Sequence, residues 1–207
     1  MRKLTLFVAA LLMAVVVSAQ ENQPKQIKLT EEEQQMVQSN NDFAFRLFRQ
    51  ARTNDSQILS PLSITVDLGM LNNGADGITR EEINAVLAGS DISSADVINS
   101  FCRKLLNETA TLDEKKRVAI ANNIYVNTRM DCQLLPALTE TANQYYDATP
   151  ESRDFSDGKT RDVMNQWGSD HTEGMIKEAI KEEEFNEDAM SYLLNALYFK
   201  GERTHKL

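Results

Sequence analysis

Apolar and polar positions along this chain alternate between helical and strand spacing. Phe43, Leu47, Phe48 and Ala51 recur at helical spacing, and Ser39 to Asp42 offers caps, which predicts a first helix. The polar stretch 20–38, with Glu31, Glu32 and Glu33 in a row, reads as a flexible acidic lead into it. Ile58-Leu59-Ser60-Pro61 reads as a short strand running directly into a helix, with Ser60 as N-cap and Pro61 at the first helical position. In that helix Leu62, Val66 and Met70 form one stripe and Ile64, Leu68 and Leu71 another, so burial on most sides is expected. Gly74 then supplies a stop. Thr79 and Glu82 have the spacing of a capping box for a third helix, which buries Ile83, Val86 and Leu87 and ends at Gly89. A fourth helix capped by Ser94 presents Val97, Phe101 and Leu105.

The period then changes. Val118, Ile120, Ile124 and Val126 alternate with Ala119, Ala121, Asn123 and Tyr125, the mark of a long strand. Leu135, Leu138, Ala142 and Tyr145 return to helical spacing. Thr149 to Phe155, with Pro150, suits only an edge strand. A helix from Thr160 carries Val163, Met164 and Trp167. The last run, Met190 to Phe199, is apolar on both faces and predicts a strand in a sheet covered on both sides. Helices followed by strands separated by helices make an α+β unit over residues 39–207, with no repeat and no linker.

Before it stands a different kind of segment. Arg2 and Lys3 precede an apolar run from Leu4 to Val17, and Val17-Ser18-Ala19 has the small-residue pattern of a cut site. Residues 1–19 are therefore expected to be a secretory signal peptide, too short for a stable membrane anchor, and the mature protein to be periplasmic or extracellular. Export permits but does not require a bond between Cys102 and Cys132; two free thiols remain an equal alternative. The sequons at Asn54 and Asn107 matter only in a glycosylating host.

Composition narrows the chemistry. With 22 Lys+Arg against 31 Asp+Glu the chain of 207 residues has net charge −9, which argues against nucleic acid as a partner. The two Cys, Cys102 and Cys132, lack zinc or redox spacing. No G-x-S-x-G, Walker A or G-x-G-x-x-G motif is present. His171 and His205 lie in no recognisable catalytic context, the Glu182–Glu184 run reads as a solvated loop, and the methionines read as packing. No cofactor and no enzymatic activity are expected.

Five blocks in order do carry a resemblance: Ile58-Leu59-Ser60-Pro61-Leu62-Ser63-Ile64 with Gly69 to Ala75; Thr79 and Glu82-Ile83; Val118–Val126, similar to an ANxIYV strand; Asn165-Gln166-Trp167 with Thr172 to Ile176; and Leu194 to Gly201, similar to NAxYFKG. Over about residues 40 to 207 the chain resembles the N-terminal half of the serpin family, as an exported member of bacterial type. The resemblance implies helices packed on a large mixed or antiparallel sheet, incomplete because only the first half of the fold is matched. It also implies inhibition of a target serine or cysteine protease by cleavage and insertion of a reactive loop, a loop these residues do not include, so the chain by itself is expected to be inactive. Ser60, Ser63 and Asn195 match the family's shutter positions, where a hydrogen-bonded cluster lies under the opening of the sheet. Arg203 stands where the family usually has Trp. The alternative is a non-inhibitory half-domain that pairs with a partner strand, or aggregates, through the edge of its last strand.

Overall fold

The computed structural model describes residues 25–52, 58–89, 94–112 and 116–201. The leader, the sequon at Asn54, His205 and the Arg203 position lie outside the described residues.

Helix α1 (Glu31–Gln50) starts well before the caps expected at Ser39 to Asp42, inside the stretch expected to be a flexible lead. The cause is local. Thr30 Oγ1 accepts from the Glu33 N–H at 3.1 Å, and the Glu33 carboxylate accepts from the Thr30 N–H at 2.7 Å. Glu31, Glu32 and Glu33 thus occupy the first turn, where the helix dipole favours negative charge. Lys104 fixes this turn to its neighbour through a 2.6 Å ion pair with Glu33.

Helix α2 (Pro61–Asn72) follows Ser60, whose Oγ accepts from the Ser63 N–H at 3.3 Å, as expected of the cap. Ile58 to Ser60, however, form no strand, because no described segment offers them a ladder. Ser63, Thr65, Val66, Gly69, Met70 and Asn72 are all buried, so α2 lies inside the fold as its two stripes predict.

Helix α3 (Gly77–Ala88) begins ahead of Thr79. Thr79 is already helical, and a capping residue needs extended backbone, so the Thr79–Glu82 box does not form. Helix α4 (Ala95–Ala110) does start after Ser94, but without a side-chain cap bond, and it buries Ile98, Asn99, Phe101, Cys102 and Leu106. Its inner face is rotated from the expected one because a polar amide and a thiol belong to it.

Strand β1 (Lys116–Asn127) is the long period-two strand. Helix α5 (Pro136–Tyr146) leads to strand β2 (Glu151–Arg153), helix α6 (Gly158–Asp170) and strand β3 (Ser191–Gly201). The sheet order is β2-β1-β3, with β2 parallel and β3 antiparallel to β1. The architecture is therefore α+β with a mixed sheet. On one face Val66, Met70, Leu87, Ile98, Phe101 and Tyr146 join the sheet to α1–α5; on the other, Tyr125, Phe155, Met164 and Ile180 join it to α6. Each large apolar side chain removed from water stabilises the fold by about 1.5–3 kcal/mol before entropy is counted. β3 is covered on both faces only in part: Ala196 is 5% exposed, but Phe199 is 61% exposed. Cys102 and Cys132 are both free thiols, the first buried and the second half-buried.

Gly69 sits where α2 meets α4 and α5. A Cβ there would stand 2.9 Å from the Tyr146 hydroxyl and 3.0 Å from Cys102 Sγ. We therefore expect Gly69→Ala to destabilise the protein. Overpacking costs about 1–3 kcal/mol and outweighs the gain of about 1 kcal/mol in helix propensity. A lower urea midpoint with unchanged slope is the expected result.

Candidate functional site

The three residues matched to shutter positions come from two elements. Ser60 and Ser63 open α2, and their hydroxyl oxygens are 2.8 Å apart, one hydroxyl donating to the other. Ser63 is buried at 7% exposure, so this pair satisfies a polar group that would otherwise be costly to enclose. Asn195 lies on β3, directly opposite Asn122 of β1. Its Nδ2 donates to Asn122 Oδ1 at 2.6 Å and not to either serine. The two serines are thus brought together, while Asn195 is bound into a different cluster.

That cluster continues across the fold. Asn122 Nδ2 makes a long 3.5 Å bond to the Tyr146 carbonyl at the end of α5. The Tyr146 hydroxyl donates to Asn99 Oδ1 at 2.7 Å. Asn99 and Asn73 exchange amide bonds of 2.8 and 2.9 Å, and Asn73 Nδ2 also donates to the Gly69 carbonyl at 2.9 Å. A polar chain therefore runs from β3 through β1, α5 and α4 to the last turn of α2, the helix whose first turn carries the serine pair. With a rise of 1.5 Å per residue, α2 holds the two polar groups about 18 Å apart.

Sequence reasoning missed Asn122, Tyr146, Asn99 and Asn73. One signal was available for Asn122. Two consecutive asparagines in a strand of otherwise apolar alternation run against strand preference, so at least one had to be satisfied inside. Asn99 and Tyr146 carry no such local signal.

The chemistry of the cluster is neutral. Burial pushes the Cys102 thiol up to about 12, with the Tyr146 hydroxyl as its hydrogen-bond partner acting the other way. Burial also raises the Tyr146 phenol, and the nearby thiol adds to it. Neither forms an anion near neutral pH, so the cluster offers no nucleophile. His171 packs its ring against Trp167 at 4.4 Å between centroids, and its Nδ1 is 2.8 Å from the Trp167 carbonyl, not from a serine or carboxylate. Among the described residues no group of three His, Cys, Asp or Glu side chains could hold a metal ion. Nor is any described helix long and apolar enough to cross a membrane. What the arrangement can do is mechanical: it sets how β1, β3 and the helices beneath them are held together.

The family model for serpins, serine protease inhibitors, matches residues 38–207. The chain belongs to the serpin family. It is 30% identical over 159 residues to chicken (Gallus gallus) neuroserpin, covering 76% of this chain and 38% of that relative. It is 32% identical over 168 residues to mouse (Mus musculus) serine protease inhibitor A3K, covering 78% of this chain and 39% of that one. Among solved structures, a loop C-sheet serpin polymer matches with a TM-score of 0.72 and 27% identity, covering 87% of this chain and 46% of the other. The thermophilic serpin tengpin in its latent state gives 0.71 and 26%, covering 86% and 46%. The chain thus spans less than half the length of these serpins, and the helices and mixed sheet described above are part of the serpin fold.

The Asn122–Asn195 bond gives a direct test of this serpin's cross-strand polar pair. Asn195→Ala should cost about 1–3 kcal/mol by leaving the buried Asn122 Oδ1 without its donor, whereas the amide that Asn122→Ala leaves behind, on half-buried Asn195, is within reach of water. The double variant should cost less than the two singles together, since both singles break the same bond. Urea unfolding of the four proteins measures the coupling; strict additivity is the result that contradicts it.

Proposed function

We propose that this chain is the scaffold part of a serpin-type inhibitor of serine or cysteine proteases. The observation that carries the reading is the long antiparallel ladder of β1 and β3 laid over α2, within the matched stretch of the family. In this reading β3 is the strand beside which a cleaved reactive loop enters as a new strand. Entry gains ladder hydrogen bonds and apolar burial, which is the work that traps the protease. β3 is suited to receive it. Its inner edge is paired with β1 from Ser191 to Gly201, and among the described residues no strand pairs with its outer edge. Ser60, Ser63 and Asn195 act in this reading as the shutter. The serine pair anchors the start of α2, and Asn195 ties β3 to β1 so that opening occurs on the other side of β3.

The bait belongs to the remainder of a serpin and not to these residues. The protein is accordingly an inhibitor and not an enzyme, it calls for no cofactor, and its partner is a protease whose identity is set by the bait. The leader, residues 1–19, supports export to the periplasm or the extracellular space. The two sequence relatives named above come from chicken and mouse, and the bacterial type is a part of this proposal. The open outer edge of β3, with Phe199 exposed beside it, also supports strand pairing with a second chain, the route by which exposed edges associate.

Incubating the 207-residue chain with trypsin-like, chymotrypsin-like and papain-like proteases tests the assignment of parts. The expected outcome is cleavage as an ordinary substrate, with no protease-linked species surviving denaturing electrophoresis. A covalent complex would show that the bait lies within these residues and would overturn the assignment.

A further inference from the structure

The middle of α2 carries one residue that its surroundings do not explain. Asp67 is the sole titratable residue of that helix, and its Oδ1 is sealed from water with no hydrogen-bond partner. We propose that Asp67 is a proton-operated switch built into α2: protonated, it lets the helix sit tightly in the core, and ionised, it loosens the fold. The proposal stands independently of the protease reading.

Geometry supports it first. α2 packs against α1, α3, α4, α5, β1 and β3, and half-buried Asp67 has its Oδ1 turned away from bulk water. None of those elements supplies a counter-charge. Lys104 and Arg103 of α4 are engaged by Glu33 and Asp147. Arg46, Arg49 and Arg80 on α1 and α3, and Lys116, Arg117 and Lys200 on the strands, are solvent-exposed. The acids of the same elements, such as Asp42, Glu82 and Glu140, are exposed as well. The buried titratable neighbours of α2, Cys102 and Tyr146, stay protonated throughout the neutral range. Burial alone therefore acts on the Asp67 carboxyl, and it raises the pKa to about 7. Among the described residues it is the one carboxyl that is raised; Glu33 and Asp154 are lowered and titrate below this range.

The sign follows from linkage. The folded carboxyl releases its proton near 7, while the unfolded one does so near its ordinary value of 3.8. Between those values the folded state holds the extra proton, so stability falls as pH rises through the window and levels off above it. One unit of pKa difference corresponds to about a tenfold change in the unfolding constant.

Urea unfolding of the full chain, followed by Trp167 fluorescence at intervals from about pH 5 to about pH 8, reads the switch. The unfolding constant should rise with pH by up to about tenfold per unit and flatten above about 7. Asp67→Asn should remove that slope and unfold at higher urea than the wild type at the alkaline end. A variant with the wild-type slope overturns the proposal. A His171→Gln, His205→Gln double variant should keep the slope, and its loss there would assign the effect to histidine and overturn the proposal too. Should Asp67→Asn fail to fold, carbon-13 titration of the Asp67 carboxyl in the wild-type chain decides: a midpoint near 7 upholds the switch and one near 4 refutes it.

Discussion

No residue of helix α2 is fully exposed to water. Ser63, Thr65, Val66, Gly69, Met70 and Asn72 are buried along its 12 residues, and every major element on that side of the sheet packs against it. An amphipathic helix needs one covered face; a helix apolar nearly all round needs several neighbours at once. The positions of α1, α3, α4 and α5 follow from that requirement, as does the seating of β1 and β3 above them. Gly69 marks the tightest approach. The Tyr146 hydroxyl and the Cys102 thiol come so close there that a methyl group has no room.

The polar groups enclosed with α2 are nearly all neutral amides and hydroxyls. That choice has a physical basis. A buried amide satisfied by another amide costs little, whereas a buried ion needs a partner of opposite sign. The reciprocal Asn73–Asn99 pair and the Asn122–Asn195 bond also specify geometry, since each works in one alignment only. A one-residue slip of β3 against β1 would place Leu194 or Ala196 opposite Asn122 and break the amide bond. The amide pair therefore fixes register where the apolar pattern of β3, equally greasy on both faces, cannot.

Legibility in the sequence tracked how local the cause was. Ser60 and Pro61 act within one turn, and they open α2 as read. The alternation of Val118 to Val126 and the edge position implied by Pro150 also depend on neighbours in sequence, and β1 and β2 stand where those signals put them. The start of α1 was misread because three glutamates look like a solvated lead, although Thr30 and Glu33 together form a cap. The Thr79–Glu82 pattern had the right spacing but fell inside a helix already begun at Gly77. Ser60 and Ser63 meet as neighbours in sequence would. The partner of Asn195 was invisible, because Asn122 lies 73 residues away and is chosen by sheet register alone.

The sheet is held unequally along its length, and this shapes what it can do. At one end Asn127 uses its full side-chain capacity. Its Nδ2 donates to the Glu187 and Ala189 carbonyls at 2.8 and 2.9 Å, and its Oδ1 accepts from the Arg129 and Phe155 N–H groups at 3.1 and 3.4 Å. Phe155, Phe185 and Tyr192 form an aromatic cluster with ring centroids 5.4–6.0 Å apart, Phe185 stacked on Tyr192 and Phe155 tilted against both. Near the middle, the Asn122–Asn195 bond replaces this dense set with a single polar contact. Toward Gly201, Phe199 is exposed, and the contacts include the exposed ion pair Arg117–Glu173 and the Arg117 guanidinium over Tyr198 at 5.6 Å. Exposed ion pairs of that kind add little. Separation of β3 from its surroundings is therefore easiest near Gly201 and hardest near Ser191, a direction built into the side chains and not into the backbone ladder, which is continuous from one end to the other.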